Sequence, residues 1–164
     1  MSAVSTDVEL SGLRRVLMRA PVRLYRWHLG RLLGERFLLL THISRLNGQR
    51  RHALLEVAAH DPRSDTYTVA CGRGTSTPWY LDVQQDPAVT IRVGGRRAAA
   101  VAQPLTPEQS GRAMRAYARS HPQAALQMLR ASGRRTDAGH ADCYQAGRDH
   151  IPFVQITPLL PRRW

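Results

Sequence analysis

The apolar positions change period once along the chain, and that change divides it. From Ser11 to Leu33 the residues Leu13, Val16, Leu17, Ala20, Leu24, Tyr25, Trp27 and Leu32 recur at spacings of three and four. Arg14, Arg15, Arg19, Arg23, Arg26 and Arg31 fall mostly on other faces. The pattern predicts a basic amphipathic helix, kinked or split at Pro21. After Gly34 the apolar residues alternate or form short runs. Residues 37–43, 52–60, 66–71, 88–93 and 96–102 read as strands, with a hairpin-type turn at Asp61 to Asp65 and another at Gly94-Gly95. Trp79 to Gln85 reads as a short helix closed by Asp86-Pro87.

Thr106-Pro107-Glu108-Gln109 opens a longer helix, with Thr106 as N-cap, Pro107 at the first helical position and Gln109 completing a capping box. That helix runs to about Ser120, and another follows from Pro122 to near Gly133. Residues 134–150 are polar and carry Ala138-Gly139 and Gly147 as breakers, so they read as irregular. Ile151 to Ile156 reads as the last strand, and Pro152 near its start suits an edge or a barrel rim. The expected architecture is α+β: residues 1–33 as an N-terminal helix, then residues 34–164 as a small antiparallel β-barrel with flanking helices.

Charge narrows the partners. The net charge is +12, and all 24 basic residues are arginine. Without lysine there is no Schiff-base chemistry and no lysine base. The arginines are scattered, and no interleaving of aromatic and basic residues follows a strand, so a specific nucleic-acid interface is not expected. The N-terminal helix either packs on its own domain or lies against anionic lipid headgroups. Cys71 and Cys143 stand far apart with no zinc spacing, and no metal site is expected. No apolar run approaches the roughly 20 residues of a membrane span, and no signal peptide is visible. The expected location is the cytoplasm, with peripheral contact at the inner membrane face left open.

Two segments carry candidate chemistry. In the first, the apolar run Leu38-Leu39-Leu40-Thr41 enters a loop containing Arg45, Asn47, Gly48, Arg50 and Arg51. Glycine lets backbone approach a ligand, and arginine forks suit phosphate and carboxylate, so this is an anion cradle or an ordinary hairpin. In the second, Ala70-Cys71-Gly72-Arg73-Gly74 leaves a strand, passes Ser76, and enters a helix at Trp79-Tyr80. A helix entrance favours a negative group, and the two aromatics either wall a ligand or anchor the helix.

Together with Asp86-Pro87-Ala88-Val89-Thr90-Ile91-Arg92-Val93-Gly94, these segments resemble the deazaflavin-dependent nitroreductase family of split-barrel flavin/deazaflavin oxidoreductases. The resemblance runs from about Leu29 to Arg130 and includes the closing Ile151-Pro152. It implies an FMN-binding split-barrel-like fold, an antiparallel Greek-key barrel of about six strands. It also implies binding of the deazaflavin coenzyme F-420, with FMN as the alternative. Arg45, Asn47, Gly48, Arg50 and Arg51 would hold the anionic tail. Ala70, Cys71, Gly72, Arg73, Gly74 and Ser76, with Trp79 and Tyr80, would border the ring. The implied reaction is hydride transfer from the reduced coenzyme to a quinone, nitroaromatic or activated alkene. Tyr144, Cys143 and His140 fall where relatives place substrate-facing residues. A homodimer is compatible with the resemblance, as is a non-redox ligand-binding or biosynthetic protein on the same fold. The chain departs from the family pattern at Ser44, Asn47, Ser76 and Pro78, where relatives carry glycine, serine, a cation and aspartate.

Overall fold

The computed structural model describes residues 34–133 and 140–160. The expected N-terminal helix and its membrane contact lie outside these residues. Six strands, β1 (Phe37–Ile43), β2 (Arg50–Asp61), β3 (Thr66–Ala70), β4 (Ala88–Val93), β5 (Arg96–Pro104) and β6 (Phe153–Pro158), close into a barrel in the order β1-β2-β3-β6-β5-β4. Every neighbouring pair is antiparallel. The helices among the described residues are α1 (Pro78–Gln85), α2 (Pro107–Ser120), α3 (Pro122–Ala131) and α4 (His140–Asp149).

Alternation builds the barrel interior. Leu38 and Leu40, Tyr67 and Val69, Ile91 and Val93, Ala100 and Ala102, and Val154 and Ile156 point inward at i, i+2 and are almost wholly buried. Trp79 and Val83 of α1 join the same cluster, so this short helix plugs one end of the barrel. A second core forms outside the barrel, where Met114, Tyr117, Ala125, Leu129, Cys143, Ala146 and Ile151 pack with the outward-facing Phe153. The Ser110 hydroxyl, buried between the layers, accepts a hydrogen bond from the Phe153 N–H at 3.0 Å.

The segment 134–150 departs from expectation, because α4 occupies most of it. Gly147 is inside that helix. A Cβ there would run into the Ser110 carbonyl oxygen and lie 2.6 Å from Met114 Cβ. Gly111 on α2 likewise leaves room for the Tyr144 ring, which a Cβ would meet at 2.8 Å. These glycines permit close helix packing; they do not break the helix. The last strand also begins later than expected, at Phe153, with Pro152 just before it. Because β6 lies between β3 and β5 in a closed barrel, Pro152 marks no edge; it stands at the barrel rim, the other reading of its position. Its carbonyl accepts from the Cys71 N–H at 2.8 Å, while its missing N–H costs no ladder bond.

The strand registers define two rims. One carries the loop 44–49, the exit of β3 through residue 77, α1, and the entry to β6. The other is fastened by Asp65, at φ 55° in the β2–β3 turn. Its buried carboxylate accepts from Arg96 Nη1 at 2.5 Å and lies 3.0 Å from His60 Nε2. Arg96 also donates to the Leu160 carbonyl at 2.6 Å, tying hairpin to hairpin and to the end of β6.

The capping box read from the sequence is formed: Thr106 Oγ1 accepts from the Gln109 N–H at 3.2 Å, and Gln109 Oε1 accepts from the Thr106 N–H at 2.9 Å. Thr106→Ala is therefore expected to lower stability by about 1 kcal/mol, read as a shifted midpoint in urea with an unchanged slope.

Candidate functional site

The first rim gathers both segments that the sequence marks. After β1 the chain folds on itself: Ser44 N–H donates to the Gln49 carbonyl and Gly48 N–H to the Ser44 carbonyl, both at 2.8 Å. Leu46 N–H donates to Ser44 Oγ at 3.3 Å, and Gln49 N–H to Asn47 Oδ1 at 3.1 Å. Gly48 takes φ 69°, which glycine adopts without strain, and open space lies beside its Cα. Asn47 is thus a loop-closing residue by its own side chain. Arg50 and Arg51 begin β2 and are exposed. No ion pair with a carboxylate engages either of them among the described residues.

Arg45 is held differently. Its N–H and its Nη1 donate to Asp82 Oδ1 at 3.1 and 3.2 Å. His42 Nδ1 lies 2.9 Å from Asp82 Oδ2, a close approach without hydrogen-bond geometry. Asp82 is 2% exposed and His42 4%. Burial pushes the Asp82 carboxyl up, but the Arg45 N–H, the Arg45 guanidinium and His42 outweigh it and hold it below the ordinary carboxylate range. Burial lowers His42, against the opposing pull of Asp82. The sequence reading missed both residues. The available signal was a carboxylate at i+3 from Trp79 and i−1 from Val83, on the apolar face of α1. A cavity of about 240 Å³ lies between this loop and α1, lined by Ser44, Arg45, Gly48, Asp82, Gln85 and Asp86.

The β3 exit is a compact turn. Gly74 N–H donates to the Cys71 carbonyl at 3.0 Å, and Thr77 Oγ1 donates to the Gly74 carbonyl at 2.8 Å. Cys71 is buried and its Sγ points at the same carbonyl at 3.2 Å. Burial pushes its thiol up, so it is no thiolate nucleophile. Gly72 sits under Met128 of α3, and the His150 carbonyl lies beside Gly74. Arg73 and Ser76 are exposed on the turn. Trp79 is an anchor in the barrel core; Tyr80 is half-buried and meets it edge-on at 6.2 Å.

Among the residues marked near the substrate, Cys143 is wholly buried in the helical core, where burial raises its thiol. Tyr144 is half-buried, with the Arg115 guanidinium 5.5 Å from its ring centre. His140 opens α4. A larger cavity of about 430 Å³ lies between α2 and the outer face of β2, β3 and β6, lined by Ala58, Thr68, Arg112, Ala113, Tyr117 and Phe153 among others. Thr68 and Ala70 face the same side of β3; Thr68 lines this cavity, while Ala70 packs against the helical core. Among the described residues no group of His, Cys, Asp or Glu is placed to hold a metal ion, and no helix is long and apolar enough to cross a membrane.

The profile of the F-420H2-dependent quinone reductase family matches residues 17–130, and the chain belongs to that family. The barrel is shared with solved structures. One is an F-420-H2 dependent reductase, FDR-A, at 16% identity and TM-score 0.52, covering 76% of this chain and 96% of that one. Another is a pyridoxamine 5′-phosphate oxidase-related, FMN-binding protein of Nostoc punctiforme, at 18% identity and TM-score 0.54, covering 85% and 81%. A third is described as a domain-swapped dimer, at 16% identity and TM-score 0.53, covering 92% and 98%. At these identities the likeness establishes the split-barrel fold. A comparison with curated protein sequences finds no match.

Proposed function

We propose that this protein is an F-420H2-dependent reductase acting on a quinone or a similarly electron-poor acceptor. The observation that carries the reading is the single rim on which the arginine loop, the Gly-x-Gly strand exit and the aromatic helix meet. The exposed Arg50 and Arg51, with Arg73 on the neighbouring turn, suit a ligand with several anionic groups in its tail, since guanidinium forks match phosphate and carboxylate. The open face of Gly48 lets such a tail approach backbone.

When bound, reduced F-420 supplies the hydride; the protein binds, orients and shields. The Gly72–Gly74 turn and the half-buried Tyr80 would border the ring, with Trp79 anchoring α1 in the barrel core. The acceptor would enter the cavity of about 430 Å³, a size suited to a small aromatic molecule. Its walls of Ala58, Ala113 and Phe153 are apolar, and Arg112 and Gln109 at its border can meet carbonyl or nitro oxygens. Neither thiol is activated, which agrees with a reaction that needs no protein nucleophile. A homodimer is compatible with this arrangement, as the dimeric neighbour on the same fold illustrates.

The test is anaerobic turnover. Reduced F-420 mixed with menadione and catalytic protein is expected to be oxidised many times faster than without protein. Absence of acceleration with menadione, a nitroaromatic and a cyclic enone alike would overturn the reductase reading.

A further inference from the structure

We propose that Asp82 is the positioning residue of the arginine loop: it pins Arg45 to α1 and leaves Arg50 and Arg51 as the loop's anion-holding cations. The inference rests on the reading of this rim as an F-420 site, and it divides labour among arginines that look equivalent in the sequence.

The geometry is that of a clamp. Asp82 stands on the buried face of α1 with Trp79 and Val83, so its position is set by the barrel core. A carboxylate that buried is tolerated only with donors around it. Both donors come from the start of the loop, Arg45 N–H at 3.1 Å and Arg45 Nη1 at 3.2 Å, and the His42 ring at the end of β1 packs against the other oxygen at 2.9 Å. Two of these three contacts belong to one residue, and one is a backbone bond that orients the chain. The loop's remaining bonds are internal, from Ser44 to Gln49 and from Asn47 to Gln49. Asp82 is therefore its fastening to the helix.

The second consequence is electrostatic. Arg45's charge is spent on Asp82, and Asp86 borders the same small cavity. An incoming anion meets a paired arginine and two carboxylates on the α1 side. On the β2 side it meets Arg50 and Arg51.

Titrations of F-420 at low and high salt, with Asp82→Asn, Arg45→Ala, their double variant and Arg51→Ala, test this division. Arg51→Ala is expected to flatten the salt dependence of Kd, because a ligand-facing charge is lost. Arg45→Ala is expected to weaken binding severalfold with the wild-type salt dependence. Asp82→Asn is expected to weaken it about tenfold, and Arg45→Ala is expected to add nothing in that background. Amide exchange at residues 45–49 in the ligand-free proteins should accelerate in Asp82→Asn. Unchanged exchange there overturns the proposal whatever F-420 does. So does an Arg45→Ala variant that flattens the salt dependence as Arg51→Ala does, or an Asp82→Asn variant that binds as tightly as wild type. Faster exchange in a protein whose wild type ignores F-420 would keep the positioning role and discard the cofactor reading.

Discussion

Gly147→Ala is expected to destabilise the fold by about 1–2 kcal/mol net, although alanine is the better helix former. In an exposed helix interior the substitution would gain roughly 1 kcal/mol. Here the added methyl would meet the Ser110 backbone oxygen and lie 2.6 Å from Met114 Cβ. Neither is the far end of a flexible side chain. Ser110 is also fixed by its bond to Phe153, so α2 cannot shift without disturbing β6. Overpacking of this kind costs about 1–3 kcal/mol and sometimes more, and it must also cancel the propensity gain. A melting temperature lowered by at least several degrees is the expected readout. Gln145→Ala, one turn face away and exposed, should leave it within a degree or so. An unchanged melting temperature in Gly147→Ala would mean that α2 and α4 do not approach as described.

The second large effect is on binding. Arg51→Ala is expected to cost about 1.5–3 kcal/mol of F-420 affinity, the value of one charge-assisted hydrogen-bonded contact. That is roughly a tenfold to hundredfold weaker Kd. The side chain is exposed at the start of β2, so the fold should be unaffected. Fluorescence titration measures the loss, and a thermal melt excludes unfolding. Wild-type affinity in Arg51→Ala would remove the tail from this loop.

The barrel was legible because its strands alternate cleanly: Leu38 and Leu40, or Tyr67 and Val69, announce an inward face by spacing alone. The capping box at Thr106 was legible because it is local. What escaped was set by distant contacts. Gly147 reads as a breaker until α2 is beside it, and so α4 reads as irregular chain from sequence alone. Pro152 reads as an edge or a rim signal, and closure of the barrel leaves the rim. In the site, the arginine loop and the strand exit were visible as motifs. The clamp was not, because Arg45 and Asp82 are 37 positions apart and Asp82 sits inside what reads as an aromatic helix. Cys143 looked available because nothing in its neighbours shows that Met114 and Leu129 enclose it.

The proposed function requires that this rim select a deazaflavin with a long anionic tail. Equilibrium titration of the purified protein with F-420 and with FMN, side by side at one moderate ionic strength, tests it most directly. Saturable quenching of F-420 fluorescence is expected at concentrations well below those needed for FMN, because Arg50 and Arg51 can engage more of the longer tail. Binding of FMN as tight as or tighter than that of F-420 would contradict it.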